Sequence, residues 1–248
     1  MSGMIYKAAA GALLQQMRLD MLTNNLANVN TTGYKADVPV FRIPGSDKTI
    51  ETGAALIPGG LNPYAPPMEA YTHFASGPLV RTGNALDAAI EGKGFFEIQS
   101  PQGRLFTRKG NFTVNAQGVL ATSEGWPVMG RGGEISIDGS RVEINDNGDV
   151  YVDGVMVDTL QLVDFSDPQR LRKTGGTFFA HSGAARGQVM EEGSTRVIQG
   201  FVESSNVDAI RTMTDLIETM RVFESYQRII RSADEATSKT VNEVGRSV

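Results

Sequence analysis

The chain holds two histidines, His73 and His181, and no cysteine. The histidines lie far apart, and neither has a partner at the three- or four-residue spacing that sets two imidazoles on one side of a metal. Without cysteine there is no thiolate nucleophile, no disulfide and no sulfur-ligated metal. Gly92-Lys93-Gly94 sets a lysine between glycines, but a phosphate cradle needs a longer loop opening into a helix, and Phe95-Phe96 reads as strand. Asn145-Asp146-Asn147-Gly148-Asp149 superficially suggests a calcium loop. Its glycine misses the sixth position and no glutamate closes it, so it reads as a hairpin turn. No serine stands in a glycine-x-serine-x-glycine elbow. We therefore expect no catalytic residue, no metal, no cofactor and no small-molecule substrate: this is not an enzyme.

Charge narrows the field further. Twenty-three basic and 28 acidic residues give a net charge of -5 with mixed signs, which leaves no electrostatic footprint for a nucleic acid. The longest early apolar run, residues 8–14, includes Gly11 and gives way to Gln15, Gln16 and Arg18. A membrane-spanning helix needs ~20 apolar residues, so we expect no membrane insertion and no cleaved signal peptide. At 248 residues the chain is long enough for one large domain or two modest ones.

The elements are legible from periodicity. Over residues 4–29, Ile5, Ala12, Leu19 and Leu26 recur every seven positions, and Ala8, Gln15, Leu22 and Val29 repeat the interval three places on. That is the a/d seam of a coiled coil. A second seam starts at Ala209 and runs through Leu216, Phe223, Ile230, Thr237 and Val244, interleaved with Met213, Met220, Gln227, Asp234 and Val241. Leu13, Met17 and Met21 fall outside the first seam, and Ile210, Ile217, Val222 and Ile229 widen the second. A helix apolar on more than one stripe needs more than one neighbour.

The first helix should end within Asn24-Asn25-Leu26-Ala27-Asn28-Val29-Asn30-Thr31-Thr32-Gly33-Tyr34-Lys35, because asparagine competes with helical hydrogen bonds and Gly33 supplies a left-handed turn. Asn24 and Asn28, four apart, share a face that is either a fraying end or an amide surface for neighbouring chains. This run resembles the N-terminal signature of the flagellar axial proteins, the rod and hook subunits of the bacterial flagellum. The resemblance continues through Leu86-Asp87-Ala88-Ala89-Ile90-Glu91-Gly92-Lys93-Gly94-Phe95-Phe96 and Phe106-Thr107-Arg108-Lys109-Gly110-Asn111-Phe112, and again at Gly200-Phe201-Val202-Glu203-Ser204-Ser205-Asn206-Val207. Gly125-Trp126-Pro127-Val128-Met129-Gly130, followed by Gly132-Gly133-Glu134-Ile135, is most similar to the family's proximal-rod members. The distal-rod and hook-like members are the alternative.

Between the helices the period changes. From Ala36 to Ser76, Pro39, Pro44, Pro58, Pro63, Pro66 and Pro67 admit only short extended pieces. From Gly77 to Gly200 it falls to two, with turns at Ser100-Pro101-Gln102-Gly103, Asn115-Ala116-Gln117-Gly118 and Asn145-Asp146-Asn147-Gly148. Such spacing predicts an antiparallel sandwich or barrel-like region. Ser205 with Asp208 has the spacing of a capping box before the last helix.

The expected fold class is α+β: a discontinuous coiled-coil domain of long terminal helices, residues 1–34 with 204–248, an extended connector, residues 35–76, and a β-rich outer domain, residues 77–203. The residues expected at subunit interfaces are Ile5, Ala12, Leu19, Leu22, Asn24, Leu26, Asn28 and Val29 of the first helix, with Met213, Leu216, Ile217, Met220, Phe223 and Ile230 of the last. The resemblance implies a structural subunit of the basal-body rod, with copies of itself, other rod subunits and the flagellar type III export apparatus as partners. It also implies an inner tube of terminal helices with the β domain outside. A β binding domain on a coiled-coil stalk is the reading from a different class.

Overall fold

The computed structural model describes residues 2–42, 49–51, 68–181, 187–190 and 195–244; the prolines at 44, 58, 63, 66 and 67 lie outside them. The chain divides into two compact units, one of residues 1–27, 37–73 and 208–248 and one of residues 28–36 and 74–207.

The first unit holds both long helices, α1 (Ser2–Ala27) and α2 (Ala209–Val244). At ~1.5 Å per residue they run about 39 and 54 Å. They pack along each other. The side of α1 turned inward is the seven-residue stripe, with Ala8, Ala12 and Leu22 buried and Ile5, Gln15, Leu19 and Leu26 half-buried. On α2 the inward line differs from the expected one. Leu216, Phe223 and Ile230 are half-buried as the seam requires, but Thr212 and Thr219 are buried between them while Met213 and Met220 are exposed. The apolar residue three places behind each seam position lost to the threonine one place earlier. Thr219 can be buried because its hydroxyl donates to the Asp215 carbonyl at 2.6 Å, which leaves its methyl to pack. The side chains of Val241 and Val244 lie outside the described residues.

The start of α2 also departs from the capping-box reading. Asp208 is the cap: its side chain accepts from the Arg211 N–H at 3.0 Å and its carbonyl from the Thr212 N–H at 2.9 Å. Ser205 serves the turn before it, accepting from the Val207 N–H at 3.2 Å. A carboxylate at that position also complements the positive end of the helix.

The proline-rich connector supplies short strands, as its prolines allow. Asp37–Arg42 lies between Thr49–Glu51 and Met68–Thr72 in an antiparallel sheet. Pro39 faces Ala70, in the part of the strand that Thr49–Glu51 does not reach, so one side of the strand is unpaired there, the setting in which a sheet tolerates proline.

The second unit is β-rich and antiparallel. Its largest sheet runs in the order Leu171–Lys173, Phe178–His181, Gly103–Thr107, Phe95–Ser100, Leu162–Asp164, Gln188–Val189. Consecutive apolar residues in these strands cover opposite faces, as the two-residue period dictates. Phe96, Leu105, Leu162 and Phe178 join the larger core with Ile98, Phe112, Leu120, Val128, Ile135 and Val150. Their neighbours Phe95, Phe106, Val163 and Phe179 form a second cluster with Phe165 and Leu171. Trp126 lies against Phe178 at 4.9 Å, and the segment carrying it runs beside Phe95–Ser100, with the Gln99 N–H donating to the Pro127 carbonyl at 2.9 Å. Asn145 builds the expected hairpin turn by accepting from the N–H groups of Asn147 and Asp149. Gly33 has φ 69°, and a Cβ there would stand 2.3 Å from the Lys109 nitrogen, so glycine is required twice over.

Candidate assembly interface

Packing two helices together covers only part of what they carry. On α1, Tyr6, Leu13 and Met17 share a face and remain exposed, Tyr6 at 72 % and Leu13 at 56 %. This face lies away from the buried line through Ala8, Ala12 and Leu22. On α2, Ile210, Met213, Ile217 and Met220 follow a three-four-three spacing and are exposed, Ile210 at 80 %. Val222 and Ile229, seven apart, expose a further apolar edge. Each helix therefore keeps water-facing apolar surface after its partner is in place. At ~1.5 to 3 kcal/mol per large side chain removed from water, that surface is a strong drive to associate.

The paired side itself is thin. Ala8, Ala12 and Gly11 give α1 little bulk, and Gly11 approaches Tyr226 so closely that a Cβ would stand 2.6 Å from its ring. The aromatic ring of α2 fills the space a side chain at 11 would take.

The asparagine run at the end of α1 divides its labour. Asn25 is buried, donating to the Asp37 carbonyl at 2.7 Å and accepting from the Asp37 N–H at 2.9 Å. It pins the start of the following strand to the helix within the first unit, as a backbone partner would. Asn24 is exposed. Asn28 follows the helix, half-buried, and accepts from the Thr31 hydroxyl at 3.2 Å.

Of the residues expected at interfaces, Ala12 and Leu22 are buried and Ile5, Leu19, Leu26, Leu216, Phe223 and Ile230 half-buried in the helical unit. Met213, Ile217 and Met220 are exposed there, and Val29 is half-buried beyond the end of α1. The sequence pattern does not mark the roles of Asn25, Thr212, Thr219 or the Gly11–Tyr226 contact. Tyr226 stands three positions after Phe223, a spacing that could have revealed it. Among the described residues no helix is long and apolar enough to cross a membrane, and no group of three His, Asp or Glu side chains is placed to hold a metal. The chemistry on offer is apolar contact and amide hydrogen bonding.

Three family models match in chain order: "Flagella basal body rod protein" over residues 5–35, "Flagellar hook protein FlgE/F/G D1 domain" over residues 89–152, and "Flagellar basal body rod FlgEFG protein C-terminal" over residues 198–243. Similar proteins include the flagellar basal-body rod protein FlgF of Caulobacter vibrioides, 30 % identical with 99 % of each chain covered. FlgF of Rhizobium meliloti is 32 % identical over 98 % of each. FlgG of Agrobacterium fabrum is 32 % identical over 93 % of this chain and 95 % of its own.

Proposed function

Because this chain belongs to the flagellar basal-body rod protein family, we propose that it is built into the rod by the outward apolar faces of α1 and α2. The chain is a structural rod subunit of the FlgF-like kind and not an enzyme, and its place is the flagellar basal body, in assembly with other rod subunits. The single observation behind the proposal is the pair of unsatisfied faces, Tyr6, Leu13 and Met17 on one helix and Ile210, Met213, Ile217 and Met220 on the other. Head-to-tail contacts that do not close generate helical filaments, and apolar helices available on several sides suit such stacking.

The finer reading is a proximal-rod subunit whose terminal helices wind into a coiled-coil inner layer as they stack. Residues 1–34 with 204–248 would form that layer, residues 35–76 the connector and residues 77–203 the outer domain. The subunit would cross the inner membrane through the flagellar type III export apparatus without a cleaved signal peptide, and the assembled rod would span the periplasm. Deleting residues 209–248 tests the proposal. We expect loss of the subunit from purified basal bodies and loss of swimming; incorporation of the shortened chain would overturn it.

The FlgG likeness, at an identity matching the FlgF relatives, favours a second reading as a distal-rod subunit. Complementation separates the two, since swimming should return in a strain lacking FlgF and not in one lacking FlgG.

A further inference from the structure

Three stretches far apart in sequence meet inside the β-rich unit at one buried carboxylate. Glu203 is completely buried. Its Oε1 accepts from Lys35 Nζ at 2.5 Å and from the Gly77 N–H at 2.7 Å, and its Oε2 accepts from Arg108 Nη1 at 3.1 Å. The cations are as deeply placed as the anion, with side chains 1 % and 5 % exposed. Lys35 Nζ also donates to the Ala75 carbonyl, and Arg108 to the carbonyls of Ile90 and Gly92. The Arg108 guanidinium lies 5.3 Å from the centre of the Phe95 ring, and its Nε is buried without a hydrogen-bond partner.

The backbone follows the same convergence. The Gly33 N–H donates to the Glu203 carbonyl at 2.7 Å, the Ser204 N–H to the Pro78 carbonyl at 2.9 Å, and the Ala36 N–H to Asn206 Oδ1 at 2.7 Å. Asn206 Nδ2 in turn donates to the Ala75 carbonyl. Residues 33–36, 75–78 and 203–206 are thus stitched into one place, with Glu203 at the centre.

We infer that Glu203 is a charge latch that makes closure of the β-rich unit conditional on its C-terminal segment, because two buried cations stay uncompensated until residue 203 arrives. Removing one partner of a buried ion pair strands a charge out of water, whereas removing a surplus partner does not. The latch therefore has a direction: loss of Glu203 is costly and loss of Lys35 is not, since Arg108 and Gly77 still satisfy the carboxylate. Before the segment docks, Lys35 and Arg108 favour staying in water, which holds the unit open. Once it docks, both chain ends of the unit are fixed together.

Burial and neighbouring charge act on the two cations in opposite directions. Burial pulls Lys35 below the ordinary lysine value, and Glu203 pushes it back while Arg108 adds to the lowering. Arg108 is lowered by burial in the same way, and the charges of Glu203 and then Asp164 oppose that. Lys173 also belongs to this neighbourhood, donating to the Lys35 carbonyl at 2.7 Å. A lysine whose folded value lies below its unfolded one binds fewer protons when folded, so its contribution to stability rises with pH up to the unfolded value.

The test compares Glu203→Gln, Lys35→Met and Glu97→Gln in the full chain by urea unfolding and amide exchange. Glu97 is a control, a buried carboxylate paired at 3.0 Å with an Arg104 side chain that is 62 % exposed. Glu203→Gln should raise the unfolding constant of the β-rich unit roughly 100-fold or more, and Lys35→Met and Glu97→Gln less than about 10-fold. In Glu203→Gln the amides of Gly33, Gly77 and Ser204 should exchange early while those of Phe95–Ser100 stay protected. The Glu203→Gln deficit should shrink as pH rises, and adding Lys35→Met should remove that pH dependence. If Glu203→Gln alone yields no folded protein, the Lys35→Met/Glu203→Gln double variant is read instead and should recover folded material. Equal losses in Glu203→Gln and Lys35→Met, or a double variant no better than Glu203→Gln, would overturn the latch.

Discussion

Asn25 shows how much a single amide does at the end of α1. Both of its hydrogen-bonding ends are spent on the backbone of Asp37, so Asn25→Ala leaves a carbonyl and an N–H to find water in a place where the side chain was buried. We expect a loss of about 1 to 3 kcal/mol in urea unfolding. The run of asparagines is visible in the sequence, but four-residue spacing pairs Asn24 with Asn28. Which amide turned inward depended on the strand that begins at Asp37, a contact twelve residues away that no local pattern announces. Lys35, Arg108 and Glu203 were hidden for the same reason: each sat in a recognisable stretch, and only the fold brings the stretches together.

At the scale of elements, helix existence and strand pairing were legible because periodicity is a local property. Phe95-Phe96, Gly103 to Thr107 and Val142 to Val152 fall where alternation and turn residues put them. The inward line of α2 was only half legible, since Met213 and Met220 outrank Thr212 and Thr219 in hydropathy and a self-bonded threonine hydroxyl cannot be seen from composition. The Gly11–Tyr226 contact predicts that Gly11→Leu overpacks the helix pair and costs about 1 to 3 kcal/mol. Tyr226→Ala should return part of that in the double variant, and measured coupling between the two sites checks it. Tyr6 and Leu13 on α1 and Ile210 and Ile217 on α2 stay exposed after the two helices pair, so each helix packs on one side only. Helices in proteins draw most of their stability from tertiary packing. Dilute monomer should accordingly show fewer helical residues by far-UV dichroism than the 26 and 36 of α1 and α2; a full complement with protected end amides would contradict this.

For the molecule as a whole, the β-rich unit has its own double-faced core and the helical unit leaves apolar faces in water. The class of the chain followed from sequence because the signatures at both ends and in the middle resemble one family. The lattice into which copies pack is a property of neighbours, and no single chain encodes it legibly. In the proposed mode of assembly, Leu13 on α1 and Ile217 on α2, exposed at 56 % and 52 %, are covered by neighbouring subunits. The yield of a Leu13→Asp/Ile217→Asp double variant in purified basal bodies, with monomer unfolding recorded alongside, tests this. Unchanged monomer stability, absence from basal bodies and cells that do not swim are the expected outcome. Normal incorporation with normal swimming would contradict it.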